Sequence, residues 1–336
     1  MPNTKEIKKR INSVKSTQKI TSAMYMISST KLRKAKAELD RTRPYFHLQE
    51  QEIKRIFASN EEAGNTIYFY PETGRRPAET YAYLVITADK GLAGAYNHNV
   101  LKAAEAEMKM HKNVKLYVVG EYGRHYFQKH HVPIEKSFLY TAQNPTFRRA
   151  REISSILLSE YEEGHVDEIR VIYSDMENDI TSTVKRMQLL PLPRLEFVKK
   201  HMEMKAENAE WAEERAHREA EIGRVEKAGR LDVEKMLEDN VQYDFHPSVT
   251  GALKQIMPGY VAGFIYGALV DSFSAEQNAR MNAMSSANDN AEQLLGNLSV
   301  EYNRVRQAAI TQEITEVAAG AKAQKRKRMK KEAGQH

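Results

Sequence analysis

Hydrophobic and polar positions divide the chain into three zones. Between residues 4 and 57 there is no glycine, and Pro44 is the only proline. Ile7, Ile11 and Val14 follow the i, i+4, i+7 spacing of one helix face, and Ile20, Met24 and Ile27 repeat it. The step from Val14 to Ile20 is six residues, so the second stripe starts on another side of the helix. A helix with one buried face keeps its phase, whereas one enclosed by several neighbours need not. Apolar spacing resumes at Leu48, Ile53 and Ile56, so Pro44 is expected to bend or loosen this helix without ending it.

Residues 58–79 are polar, carry Gly64, Gly74, Pro71 and Pro77, and read as a connector. The β-branched and aromatic run 81–87 predicts a buried strand, and 114–119 and 168–173 predict two more. Helical stretches are expected over 97–110, 121–129 and 145–162, with an edge strand over 180–190. Strands alternating with helices imply a parallel or mixed sheet covered on both faces.

Residues 195–240 are dense in Glu, Lys and Arg around the lone Trp211 and read as a charged, helical insertion. A second long helical zone covers 247–323. In it Ala291, Leu294, Leu298, Tyr302, Val305 and Ala309 step by three and four, the spacing of a coiled-coil seam. The fold class expected is α+α/β: a long antiparallel coiled coil of N- and C-terminal helices (1–57 and 247–323) around a central Rossmann-like α/β domain (80–194). A basic tail, 324–336, follows.

Composition removes several chemistries. The 336 residues contain no cysteine, which excludes disulfides, thiolate metal sites and thiol redox switching. No apolar region follows the basic N-terminus, so no secretory signal is expected. The longest apolar run, 256–270, is about 15 residues against the ~18–20 needed to span a bilayer. The net charge of +6 is uneven: residues 1–55 hold fourteen Lys/Arg against five acids, and Lys325 to Lys331 form a second basic cluster. Such charge suits nucleic acid, an anionic membrane or an acidic protein collar, and does not choose among them.

Chemical-looking features are few. The turn over 89–97, DKGLAGAYN, has glycines that could let amides face a phosphate, but it fits neither GxxxxGK[ST] nor GxGxxG. A tight strand-to-helix turn is the plainer reading. His98, His111, His125, His130 and His131 lack any HExxH or matching carboxylate spacing and read as surface histidines. Gly259, Gly263 and Gly267 make one stripe on a helix, the mark of a closely approaching neighbour. No aromatic stacking platform accompanies the basic runs, which weakens a nucleic-acid reading. Two alternatives stay open on the residues alone: a coiled-coil nucleic-acid binder and a phosphate-handling α/β enzyme.

The terminal segments carry more than periodicity. ITSAMYMISSTKLRKAKAELDRTRPYF, at 20–46, and KEIKKRINSVKSTQK, at 5–19, strongly resemble the N-terminal helix of F-type (rotary) ATP synthase γ subunits. ARMNAMSSANDNAEQLL, at 279–295, and YNRVRQAAITQEITEVAAGA, at 302–321, resemble the matching C-terminal helix. The glycine turn and QLLPLP, at 188–193, agree as well.

The resemblance implies a non-catalytic central rotor shaft with no cofactor. Its expected partners are three α and three β subunits, the ε subunit and the c-subunit ring, with no nucleic acid. It would touch the membrane only through the c ring, at the cytoplasmic face of a bacterial inner membrane. Met24 matches a methionine that faces a β-subunit lever. Arg306 and Gln307 match a pair that meets a β catch loop, with Thr311 and Glu316 further along. Tyr243 and Phe245 match aromatic positions in the foot near ε and the c ring. Ala93 and His246 depart from the family pattern, which often has cysteine and an acid there. Photosynthetic relatives carry a regulatory dithiol where 195–240 lies; without cysteine this insertion would instead brake rotation or meet ε by charge.

Overall fold

The computed structural model describes residues 4–59, 66–69, 78–139, 142–176, 182–192 and 248–332. The insertion 195–240, with Tyr243 and Phe245, therefore lies outside the described residues. Helix α1 (Thr4–Ser59) opens the chain and helix α5 (Val249–Glu332) closes it. Between them run β1 (Thr80–Ile86), α2 (Tyr96–Met108), β2 (Asn113–Val119), α3 (Glu121–Lys129), β3 (Lys136–Phe138), α4 (Phe147–Glu162), β4 (Glu168–Met176) and β5 (Ser182–Leu190). The chain forms two compact units: 32–278, and the terminal segments 1–31 with 279–336.

In the first unit a five-stranded sheet has the order β3-β2-β1-β4-β5. The first four strands are parallel, and β5 returns antiparallel along β4. Parallel strands are buried on both faces, and the alternation divides their side chains between two cores. Tyr83, Val85, Leu116, Val118 and Ile172 pack with Val100 and Leu101 of α2 and Phe127 of α3. Leu84, Ile86, Tyr117, Val119, Ile169 and Val171 pack on the other side with Ile153 and Leu157 of α4. That second core also takes Ile53 and Ile56 from α1, and Leu253, Met257, Val261 and Ile265 from α5.

The strip Thr66–Phe69 is clamped onto this core. Tyr68 is fully buried, its hydroxyl donates to Glu162 Oε1 at 2.5 Å, and its carbonyl accepts the Leu192 amide at 2.7 Å. Helix α1 passes through Pro44 unbroken, as its apolar spacing required. Its many hydroxyl residues turn back onto the preceding turn: Ser16, Thr17, Thr30 and Thr42 each donate to the carbonyl four residues earlier, at 2.9–3.1 Å. These groups are thus satisfied without leaving the helix.

Two details, β3 and the glycine stripe, differ from the sequence reading. The three-residue strand β3 was not foreseen, being too short and polar for an alternating pattern to register. Helix α5 runs on through the basic cluster to Glu332. The glycine stripe is divided in role. A Cβ on Gly259 would crowd the Gln49 amide of α1, whereas one on Gly267 would meet nothing within 4 Å. Helix α5 also has a stretch long and apolar enough to cross a membrane by length and composition, of which 61% is buried inside the protein.

Candidate interaction surfaces

In the terminal unit α1 and α5 pair through a seam legible residue by residue. On α1 the inward positions are Ile7, Ile11, Val14, Gln18, Thr21 and Ser28, stepping by three and four with Tyr25 at the seam's edge. On α5 they are Met284, Asn288, Ala291, Leu295, Leu298, Tyr302 and Val305. Leu294, assigned to the seam by its spacing, is 37% exposed, and Leu295 takes the inward place.

The hydroxyls of Thr21 and Ser22 both reach Asn288 Oδ1, the latter at 3.3 Å. This contact fixes the direction of the pair. Burial on α5 ends at Val305, seventeen residues beyond Asn288, and seventeen residues back from Thr21 is Thr4, where α1 begins. The helices are antiparallel, and every described side chain from Arg306 to Gln324 is exposed.

The outward faces are unusually apolar. Ile20 is 61% exposed and Ile27 55%, with Met24 partly exposed between them. The phase change in the apolar pattern of α1 is explained by this arrangement. The Ile7 stripe lies in the seam, and the Ile20 stripe faces out. On α5, Ile310, Ile314 and Val317 stand exposed at i, i+4, i+7 on a stretch that has no partner helix among the described residues.

The residues carried over from the resemblance occupy two levels. Met24 is partly exposed on α1, opposite residue 285 in the antiparallel register. Arg306, Gln307, Thr311 and Glu316 are all exposed on α5. Twenty-one residues of helix separate 285 from 306, roughly 30 Å at 1.5 Å per residue. The structure therefore does not bring Met24 together with the α5 group. Within that group the Thr311 hydroxyl donates to the Gln307 carbonyl at 2.9 Å, and Gln312 Nε2 donates to Glu316 Oε1 at 2.9 Å. What the sequence reading missed here is the Thr21–Ser22–Asn288 contact. Continuing the 3-4 count from Ile7 past Val14 would have found it.

The α/β domain offers no comparable chemistry. The turn after β1 is held from inside: the Ala88 amide donates to Asn97 Oδ1 at 3.0 Å, and Asp89 Oδ1 accepts the Glu121 amide at 3.0 Å. The Asp89 carboxylate thus stands at the N-terminus of α3 and would repel an anion there. Gly120, at φ +97°, brings its backbone against the Ala88 carbonyl, which a Cβ would meet at 2.7 Å. Among the described residues no three His, Cys, Asp or Glu are placed to hold a metal ion.

A buried ion cluster closes the opposite end of the sheet. Arg170 donates through Nε to Glu168 Oε1 at 2.7 Å and through Nη1 to Glu107 Oε2 at 3.1 Å. Its guanidinium lies 5.8 Å from the Tyr81 ring centroid, and that ring stacks on His111 at 3.6 Å.

Comparison with known proteins places this geometry. A family model described as ATP synthase matches residues 3–324. An ATP synthase gamma chain from Caldanaerobacter subterraneus is 38% identical over 317 residues, covering 94% of this chain and 98% of the relative. A sodium ion specific ATP synthase gamma chain from Acetobacterium woodii is 36% identical, covering 96% and 98%. Among solved structures, a chain of the Euglena gracilis mitochondrial ATP synthase OSCP/F1/c-ring assembly matches with a TM-score of 0.60. It is 15% identical, and the match covers 95% of this chain and 94% of that one. A chain of the Tetrahymena thermophila mitochondrial ATP synthase central stalk/c-ring assembly matches at TM-score 0.55 and 20% identity, covering 80% and 99%. The two solved structures share the fold.

Proposed function

The chain belongs to the ATP synthase gamma-chain family, and from that premise we propose that it is the central rotor shaft of a rotary ATP synthase. The observation that carries this reading is the pair of exposed apolar faces on two long helices. Ile20 and Ile27 on α1, and Ile310, Ile314 and Val317 on α5, are exposed in the chain by itself. Apolar side chains arranged this way on a soluble helix call for a surrounding sleeve of protein. A rotating shaft needs a sleeve that touches it without a deep, angle-specific lock.

In this role the chain performs no bond chemistry. Rotation of a c-subunit ring would turn the α/β domain and the helices with it. The surrounding hexamer of three α and three β subunits would feel a different face at each angle. The free energy of that differential contact couples ion flow to nucleotide chemistry elsewhere. Met24 would meet β subunits at one level, and Arg306, Gln307, Thr311 and Glu316 at a second. Tyr243 and Phe245 would contact ε and the c ring, and the insertion 195–240 would act as a charged brake on rotation. The complex would sit at the cytoplasmic face of a bacterial inner membrane, this chain bound only peripherally.

Native mass analysis of the complex recovered through a tag on this chain tests the reading. Three α, three β, one copy of this chain and ε are expected. Recovery of a homo-oligomer or of nucleic acid, without α or β, would overturn it.

A further inference from the structure

We propose that Asn288, gripped by Thr21 and Ser22, is a polar latch that sets the register of α1 against α5. Its functional consequence, the spacing between the Met24 level and the Arg306–Glu316 level, rests on the rotor reading above. The observation is a change in the chemistry of the seam along its length. At one end it is aliphatic, with Ile7, Ile11 and Val14 facing the stretch of α5 that holds Leu295, Leu298 and Tyr302. Such layers attract without direction, so sliding one helix by a layer places aliphatic side chains on aliphatic side chains again. They bind the helices but choose a register weakly.

The middle of the seam chooses. Asn288 Oδ1 accepts from both hydroxyls of the Thr21–Ser22 step. In the same antiparallel register the long Gln18 lies opposite the small Ala291. A slide of one layer in one direction sets the Gln18 amide against the Asn288 amide, Val14 against the small Ala291 and Thr21 against Met284. One layer is then overfilled and the next is hollow. A slide the other way sets Asn288 against the ring of Tyr25 and strips it of both hydroxyl donors. A partly buried amide left without its partners costs about 1–3 kcal/mol, and a single polar residue in a seam is known to specify register at such a cost. Size and polarity agree only where the latch closes.

The absence of cysteine makes the test clean, because introduced thiols are the only ones in the chain. Ile11→Cys with Leu298→Cys reports the latched register, and Val14→Cys with Leu298→Cys reports a slide of one layer. In the otherwise unchanged full chain the first pair is expected to cross-link under mild oxidation roughly tenfold faster than the second, matching the penalty above. Asn288→Leu should bring the two rates to within about threefold. Thr21→Val with Ser22→Ala removes the latch from the other helix and should do the same, so a packing fault peculiar to leucine is told apart from loss of the latch. If the slid pair stays slow in both backgrounds while the native pair still closes, the latch is refuted. The cross-links are read on the isolated chain, so they judge the latch whatever its partners. Failure of the rotor reading is seen separately, as a native complex lacking α and β.

Discussion

The hydroxyls of Tyr96 and Ser272 meet at 2.6 Å in the interior, joining the first turn of α2 to α5. Both residues are almost fully buried. Tyr96→Phe takes this partner from the buried Ser272 hydroxyl, a loss of about 1–2 kcal/mol. Tyr96→Phe with Ser272→Ala should recover part of that loss, because neither polar atom is then stranded. Urea unfolding of the two variants measures the difference. If the single variant matched the parent, the contact would contribute nothing.

Glycines of one stripe should respond in opposite ways. Gly267→Ala adds a methyl in open space and removes the backbone freedom of glycine in a helix, so it should stabilise by roughly 0.5–1 kcal/mol. At Gly259 the same methyl meets the Gln49 side chain, whose Cδ lies 3.1 Å from the ideal Cβ, and the gain should be largely lost. Thermal melts of the two single variants decide it: equal shifts would mean that Gln49 yields freely.

Arg170 hydrogen-bonds both Glu168 and Glu107, and the Arg186 guanidinium lies 3.7 Å from Glu107. Glu168 is 1% exposed. Arg170→Met would remove a hydrogen-bonded cation from the buried Glu168 carboxylate, at a cost of about 3–5 kcal/mol. The variant should unfold at markedly lower urea with an unchanged denaturant slope. A loss below about 1 kcal/mol would mean that water reaches the carboxylates and the cluster acts like a surface pair.

Four tyrosines make the α/β domain alkali-sensitive. Burial, reinforced by Glu160, pushes the Tyr117 phenol up to about 12. Burial also raises Tyr68, Tyr83 and Tyr173, with Glu162 adding to the effect at Tyr68 and Asp271 at Tyr173. The folded state therefore holds these protons more tightly than the unfolded chain, whose tyrosines ionise near pH 10. The stabilisation is complete below that pH and is lost as pH rises, by up to about 1.4 kcal/mol per pH unit for each group. Urea midpoints measured from pH 9 to 11 should fall with increasing steepness, and a flat profile would contradict the burial.

At the second contact level the side chains are exposed, so their replacement should spare the chain itself. Arg306→Ala with Gln307→Ala is expected to leave the thermal midpoint within about 1 °C of the parent, as surface changes usually do. If the pair meets a β subunit as proposed, its loss in the assembled complex should slow ATP hydrolysis by roughly tenfold. Stability unchanged with hydrolysis also unchanged would remove this pair from the contact surface.

The β-branched and aromatic runs over 81–87, 114–119 and 168–173 located three strands because parallel strands are apolar on both faces, and β3 escaped because three residues are too few to make a run. Periodicity marked Leu298 correctly in the seam but misplaced Leu294, since two adjacent leucines leave the phase to be settled by the partner helix. The phase change between Ile7 and Ile20 was visible, and so was its meaning, a helix with more than one face to satisfy. The latch was hidden for the opposite reason: Thr21, Ser22 and Asn288 are polar, and a search for apolar spacing passes over them. Arg306, Gln307, Thr311 and Glu316 have no local signature, and only the resemblance singled them out.

Residues of α1 and α5 enter one common core beneath the sheet, Ile53 and Ile56 from the first, and Leu253, Met257 and Val261 from the second. A lone helix seated in a socket can spin about its own axis when its base is turned. Two helices rooted side by side in one packed body cannot, because each blocks the swivel of the other. A turning moment applied to the sheet is therefore shared by the two buried helix segments, and neither can take it up by rolling in place.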